Sequence, residues 1–221
     1  MLILSLVDFQ NVTYVNDNKI ILKNISVNVD SGDFISVVGP SGSGKSTFLK
    51  LCAQLISPTE GDIVYKNKSY MEYSPVEWRK SIGYCFQNPY LFGDTVMDNL
   101  KFPYSIRSKK IDLKRVEELF AIFNIKSDCL DNKVKNLSGG EKQRIALIRT
   151  LLFKPEILLL DEVTSALDVD NTLIVEKVIQ SLNEEGITIL WITHNPVQSK
   201  KYSNKVISME NGEIMSLEVL K

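Results

Sequence analysis

The octapeptide Gly39-Pro-Ser-Gly-Ser-Gly-Lys-Ser46 demands a strand, a tight loop and a helix in that order. It satisfies G-x-x-x-x-G-K-[ST], a loop whose backbone N–H groups cradle phosphates. The apolar run Phe34-Ile-Ser-Val-Val38 precedes it and Thr47-Phe-Leu-Lys-Leu51 follows, which is the context the motif requires. The chemistry is that of charge. A helix N-terminus offers unpaired N–H groups and about half a positive charge to an anion. Gly39, Gly42 and Gly44 allow the chain to bend where a Cβ would collide. Lys45 adds a point charge for β- and γ-phosphates, and the Ser46 hydroxyl is placed to ligate Mg²⁺. The candidate phosphate-binding residues are therefore Gly39, Pro40, Ser41, Gly42, Ser43, Gly44, Lys45, Ser46 and Thr47.

A chain of 221 residues makes one large domain or two small ones, with apolar residues enough for a substantial core. Its 26 Lys and Arg balance 27 Asp and Glu, a net charge of −1. That balance argues against a nucleic-acid-binding surface. Cys52, Cys85 and Cys129 form no CxxC pair, as suits a reducing compartment. The opening Met1-Leu-Ile-Leu-Ser-Leu-Val7 lacks a charged leader and a cleavage site, and reads as a first strand. No apolar run approaches the roughly 18 residues that span a bilayer.

Strand-like segments fall at 2–9, 11–15, 20–30, 33–38 and 61–65, with turn signals at Asp17-Asn18, Ser31-Gly32 and Asn211-Gly212. A helix is expected from within the phosphate loop to about Leu55, then a strand around Ile82–Phe86. From 88 to 136 the reading is helical, with Val116, Leu119, Phe120 and Phe123 on one inward face. Ser138 is a good N-cap for a helix through Phe153, which Pro155 stops. Ile157–Leu160 and Ile187–Thr193 read as buried strands around a helix from Asn171 to Glu185. This alternation argues an α/β fold with a mostly parallel sheet covered on both faces.

Chemistry gathers at the ends of those strands. Ile157–Leu160 closes on Asp161 and Glu162, at the edge where open α/β sheets bind ligands. Asp161 is positioned for a Mg²⁺ contact, and Glu162 to orient or deprotonate an attacking water. His194, the single histidine, follows a core strand directly and is a candidate γ-phosphate contact. Gln87, also ending a strand, either ligates Mg²⁺ or holds water.

With these residues in view, the chain resembles the ATP-binding subunits of ABC transporters. The loop at 39–46, Gln87, Leu137-Ser-Gly-Gly-Glu141, Asp161-Glu162, Ser165-Ala-Leu-Asp168 and His194 stand in that family's order and approximate spacing. Asn195 departs from the pattern, since many relatives carry Asp there. The resemblance implies one P-loop NTPase domain of ABC type over 1–221, with an antiparallel β lobe at about 1–30 and 60–74 and an inserted helical subdomain at about 88–136. It implies ATP and Mg²⁺ as ligands, with Tyr14 stacking on adenine. It also implies a head-to-tail pair of identical copies. In that pair Ser138, Gly139 and Gly140 of one copy meet the γ-phosphate held by the other, and Asp168 lies across the interface.

A separate membrane permease would contact Gln87 and the helical segment, at the cytoplasmic face of a bacterial membrane. A narrower resemblance is to the Fet-type ABC ATPases proposed to export iron. It is carried by Leu91-Phe-Gly-Asp-Thr-Val-Met-Asp-Asn-Leu-Lys-Phe-Pro103, Ile106-Arg107, Tyr84-Cys85, Leu55-Ile-Ser-Pro58 and Leu190-Trp191. A soluble ABC ATPase serving iron–sulfur assembly shares every catalytic motif and differs in partner. Chromosome-type relatives carry long coiled coils, and the interval 47–137 has no sustained heptads.

Overall fold

Two tight turns set the first sheet. The computed structural model describes residues 5–220, so residues 1–4 of the expected opening strand lie outside it. β1 (Ser5–Asn16) and β2 (Lys19–Asp30) pair antiparallel, with Asn16 opposite Lys19. Asp17 and Asn18 between them take φ of 48° and 61°, the conformation of a two-residue hairpin turn. Lys66 and Asn67, at φ 49° and 63°, repeat the device between β4 (Glu60–Tyr65) and β5 (Lys68–Ser69). The strands lie in the order β2-β1-β4-β5. The expected break at residue 10 is a register shift between Phe9 and Val12 within one continuous strand, where Asn11 takes φ 52°.

The second sheet has six strands. β3 (Phe34–Val38), β6 (Ile82–Cys85), β7 (Ile157–Asp161), β8 (Thr188–Ile192), β9 (Lys205–Glu210) and β10 (Glu213–Val219) lie in the order β10-β9-β3-β8-β7-β6. β9, β3, β8 and β7 run parallel, and β10 turns back against β9. Every residue of β7 and β8 is buried, which is why both read as unbroken apolar runs. β9 and β10 were not expected beyond their turn signal at Asn211-Gly212.

The chain forms two compact units: residues up to 84, 156–162 and from 183 onward make the first, and 85–155 with 163–182 the second. In the first, one core joins the two sheets and α1 (Lys45–Cys52). Phe9, Val29, Ile35, Phe48, Leu159, Leu190 and Ile207 meet there with at most 1% exposure. α1 ends three residues before the expected Leu55, because Gln54 turns to φ 51° and the Leu55 N–H closes on Lys50 O. α2 (Pro75–Ser81), capped by Ser74, buries Trp78, whose Nε1 donates to Cys52 O at 2.9 Å. α7 (Pro196–Lys201) follows β8. Burial pushes the Cys52 thiol up to about 12, so it serves as a packing group.

In the second unit the expected helical stretch 88–136 is only partly helical. α3 (Val96–Ser105) and α4 (Leu113–Ile122) are joined by irregular chain, and short 3₁₀ turns at Ser127–Asp131 and Val134–Asn136 follow α4. Val116, Leu119, Phe120 and Phe123 are each 1% exposed, as their spacing requires. α5 (Gly139–Leu151) starts after the Ser138 cap, and α6 (Val169–Glu184) starts two residues before the expected Asn171 because Asp168 caps it. Asn99, fully buried, binds Phe92 N and O, Thr95 O and Arg149 Nη1, and so fixes the chain ahead of α3. Among the described residues no helix is long and apolar enough to cross a membrane.

Candidate nucleotide site

β3 delivers the chain to Gly39, and the phosphate loop then bends into α1. At Gly39 φ is 144°, and a Cβ would stand 2.0 Å from Met209 O on β9. Gly39→Ala is therefore expected to cost at least about 2 kcal/mol and lower the melting temperature by roughly 4–8 °C, measurable by calorimetry. Gly44, at φ 99°, caps α1 and leaves no room for a side chain against Leu22. The Ser43 hydroxyl is buried without a hydrogen-bond partner among the described residues. An unpaired polar atom in a glycine-built cradle is a feature a phosphate oxygen satisfies.

Lys45 is 5% exposed, and its Nζ donates to Gly39 O at 2.9 Å and Pro40 O at 2.8 Å. Burial lowers its pKa, opposed by the carboxylates of Glu162 and Asp161. The opposition is informative, because it brings the loop lysine into the field of both acids that end β7. Ser46 Oγ donates to Asp161 Oδ1 at 2.9 Å. Tyr84, on β6, donates its hydroxyl to Asp161 Oδ2 at the same 2.9 Å. Both oxygens of that buried carboxylate are thus held.

Glu162 leaves the sheet with φ 50°, and its N–H reaches Ile192 O at 3.2 Å. The turn directs its carboxylate to His194, whose Nε2 lies 2.7 Å from Glu162 Oε1. A half-exposed imidazole beside a carboxylate with 16% exposure makes a pair open on one side to solvent. Asn195 keeps its place after His194 by capping α7: its Oδ1 accepts from Val197 N and Gln198 N. Asn and Asp cap equally well, so this departure from the family pattern is structurally neutral. Tyr14 is half-buried on β1, opposite Leu22, and packs against the core.

The first unit therefore brings together Gly39–Thr47, Asp161, Glu162 and His194, with Tyr14 on its antiparallel sheet. Gln87, Ser138, Gly139, Gly140 and Asp168 belong to the second unit. There Ser138 and Glu141 form a reciprocal cap. Ser138 Oγ accepts from Glu141 N at 3.3 Å, and Glu141 Oε2 accepts from Ser138 N at 2.8 Å. Those bonds hold the Glu141 carboxyl below its usual range. Gly139 is exposed, with nothing near where a Cβ would be, so the start of α5 is open to approach. Gln87 is exposed just beyond β6. Asp168 accepts from Asn171 N and Nδ2 at 2.8 and 2.7 Å. Tyr84 is the site residue that motif reading missed as a partner of Asp161.

The sequence profile described as ABC transporter matches residues 22–165. The chain is 42% identical over 206 residues to an Escherichia coli (strain K12) protein described as "Probable iron export ATP-binding protein FetA", covering 93% of this chain and 91% of that one. It is 35% identical over 215 residues to "Phosphate import ATP-binding protein PstB" of Saccharolobus solfataricus, covering 91% and 83%. Among solved structures, a dimeric ATP-binding cassette in a post-hydrolysis state with ADP and Pi matches with a TM-score of 0.87. That cassette is 32% identical, with 97% of this chain and 99% of that one covered.

Proposed function

Because the chain belongs to the ABC transporter family and is an ATP hydrolase of ABC type, we propose that it drives a separate membrane permease from the cytoplasmic side. The observation that carries the reading is the convergence of Lys45, Ser46, Asp161 and the Glu162–His194 pair at the end of one sheet. In this reading the phosphate loop and Lys45 hold the β- and γ-phosphates, Glu162 orients or deprotonates the attacking water, and His194 contacts the γ-phosphate. Tyr14 stacks on adenine. We read the two units as parts of one ABC ATPase domain.

The donor set suits Mg²⁺. The Ser46 hydroxyl commits its hydrogen to Asp161 and keeps its lone pairs, and hard oxygen donors are what that cation takes. Ser46 and Asp161 of the first unit are the residues that would hold it, and it would supply neutralisation of the phosphate charge.

Each copy would carry half of each site. Ser138, Gly139 and Gly140 would offer the amide-rich start of α5 to the ATP on the partner copy, an arrangement supported by the dimeric ADP-and-Pi cassette. Ser138→Arg is then expected to abolish hydrolysis while nucleotide affinity of the monomer stays within about twofold of wild type, since its own phosphate loop is intact. Equal collapse of affinity, measured by calorimetry, would refute the shared site.

The iron-export description of the Escherichia coli relative supports a metal ion as cargo, exported by the permease. A relative named for phosphate import is 35% identical to this chain, which supports a cargo chosen by the permease and not by this chain. The test is to recover the tagged chain from detergent-solubilised native membranes. A polytopic membrane protein is expected with it. A soluble partner in its place would move the ATPase to an assembly role and end the transport reading.

A further inference from the structure

Asp161 is held at two points, and only one of them belongs to the phosphate loop. Ser46 Oγ donates to Oδ1, and Tyr84 Oη donates to Oδ2, each at 2.9 Å. The residue is 5% exposed, so solvent does little to hold the carboxylate in place. A carboxylate turns easily about its terminal torsion, whose rotamer wells are broad. With Oδ1 bonded alone, rotation would take the acceptor away from Ser46. The serine hydrogen would then swing toward other acceptors, and the lone pairs it had left free would no longer be aimed. A second donor on Oδ2 removes that freedom.

Tyr84 suits the task. It lies on β6, in the same sheet as β7, and its ring packs against the core of the first unit. The hydroxyl is therefore presented by a strand and not by a loop.

We propose that Tyr84 is a positioning residue for the Mg²⁺ site: its hydroxyl locks the Asp161 carboxylate so that the Ser46 hydroxyl keeps its lone pairs turned to the cation. This rests on the reading of Ser46 and Asp161 as the Mg²⁺ residues. Partners of this kind, one bond removed from the ion, commonly set metal affinity by about tenfold or more.

The test uses Mn²⁺ as probe, bound with ADP to the full chain and titrated by electron paramagnetic resonance. Three proteins are compared: wild type, Tyr84→Phe, which keeps the ring and removes the hydroxyl, and Ser46→Ala. Tyr84→Phe is expected to weaken Mn²⁺ about tenfold. ADP affinity in the presence of a chelator should stay within about twofold, because the phosphate loop is untouched. The Mg²⁺ concentration giving half-maximal ATPase should rise by the same factor, with the rate at saturating Mg²⁺ largely restored. A merely packing role would change the melting temperature and leave the Mn²⁺ titration alone. Mn²⁺ affinity within about twofold of wild type in Tyr84→Phe, beside a large loss in Ser46→Ala, overturns the role of Tyr84 and leaves the metal site standing. Unchanged Mn²⁺ affinity in both variants overturns the metal-site reading and this inference with it.

Discussion

Glu162→Gln should slow ATP hydrolysis by about a thousandfold while leaving Mg-ATP binding intact, and should trap the protein as a dimer. The amide matches the carboxylate in size and can still meet His194, so the turn after β7 and the 2.7 Å pairing have no steric reason to change. What it loses is the capacity to accept a proton and the charge that orients water. General-base contributions of this kind span about 10²- to 10⁴-fold. If nucleotide closes two copies and hydrolysis reopens them, a copy that binds without hydrolysing stays closed. Phosphate release in a single turnover measures the first effect and light scattering in saturating ATP the second. A rate within tenfold of wild type, or a strictly monomeric protein, would contradict the assignment.

The second large effect is at Lys45. Replacement by alanine removes the buried cation of the phosphate loop and the Nζ bonds to Gly39 O and Pro40 O, of which Pro40 O keeps the Ser43 N–H. Hydrogen bonds to charged groups are worth about 1.5–3 kcal/mol each, so losing two phosphate contacts amounts to about 3–6 kcal/mol. ATP affinity is expected to fall by at least about a hundredfold. Calorimetric titration checks it, with circular dichroism to establish that the variant is folded. Undiminished affinity would remove the loop from the nucleotide site. The low exposure of Lys45 raises the expected cost, since water cannot replace a charge there as it could at a surface.

What the sequence revealed beforehand, and what it concealed, divides along the range of the interactions. β7 and β8 were legible because a strand buried on both faces must be apolar at every position, and five-residue runs show it. The start of α5 was legible because Ser138 and Glu141 stand at cap spacing. α2 and α7 carried comparable signals, Ser74-Pro75 and Asn195-Pro196, but each is too short for helical periodicity to declare itself. β9 is half polar, and its place beside β3 comes from pairing between residues about 170 positions apart, as in the bond from Phe34 N to Asn204 Oδ1. The stretch 88–136 failed in the opposite sense: its apolar content implied more helix than α3 and α4 supply. The backbone there is tied down by side chains such as Asn99 and Asp98 instead. In the candidate site, motif residues stood out because a phosphate-binding motif has a fixed spacing. Tyr84 did not, since its bond to Asp161 links positions 77 apart on two strands and leaves no local trace.

With Glu162 as the base, its left-handed backbone sets stability against turnover at a single position. A non-glycine residue held at φ 50° stores on the order of 1 kcal/mol of strain. Glycine or asparagine would relieve much of it. A laboratory selection that rewarded heat resistance alone would therefore be drawn to the residue proposed to activate water. Any programme to harden this ATPase must screen for hydrolysis at each round, because with Glu162 as the base the sturdier molecule is the inert one.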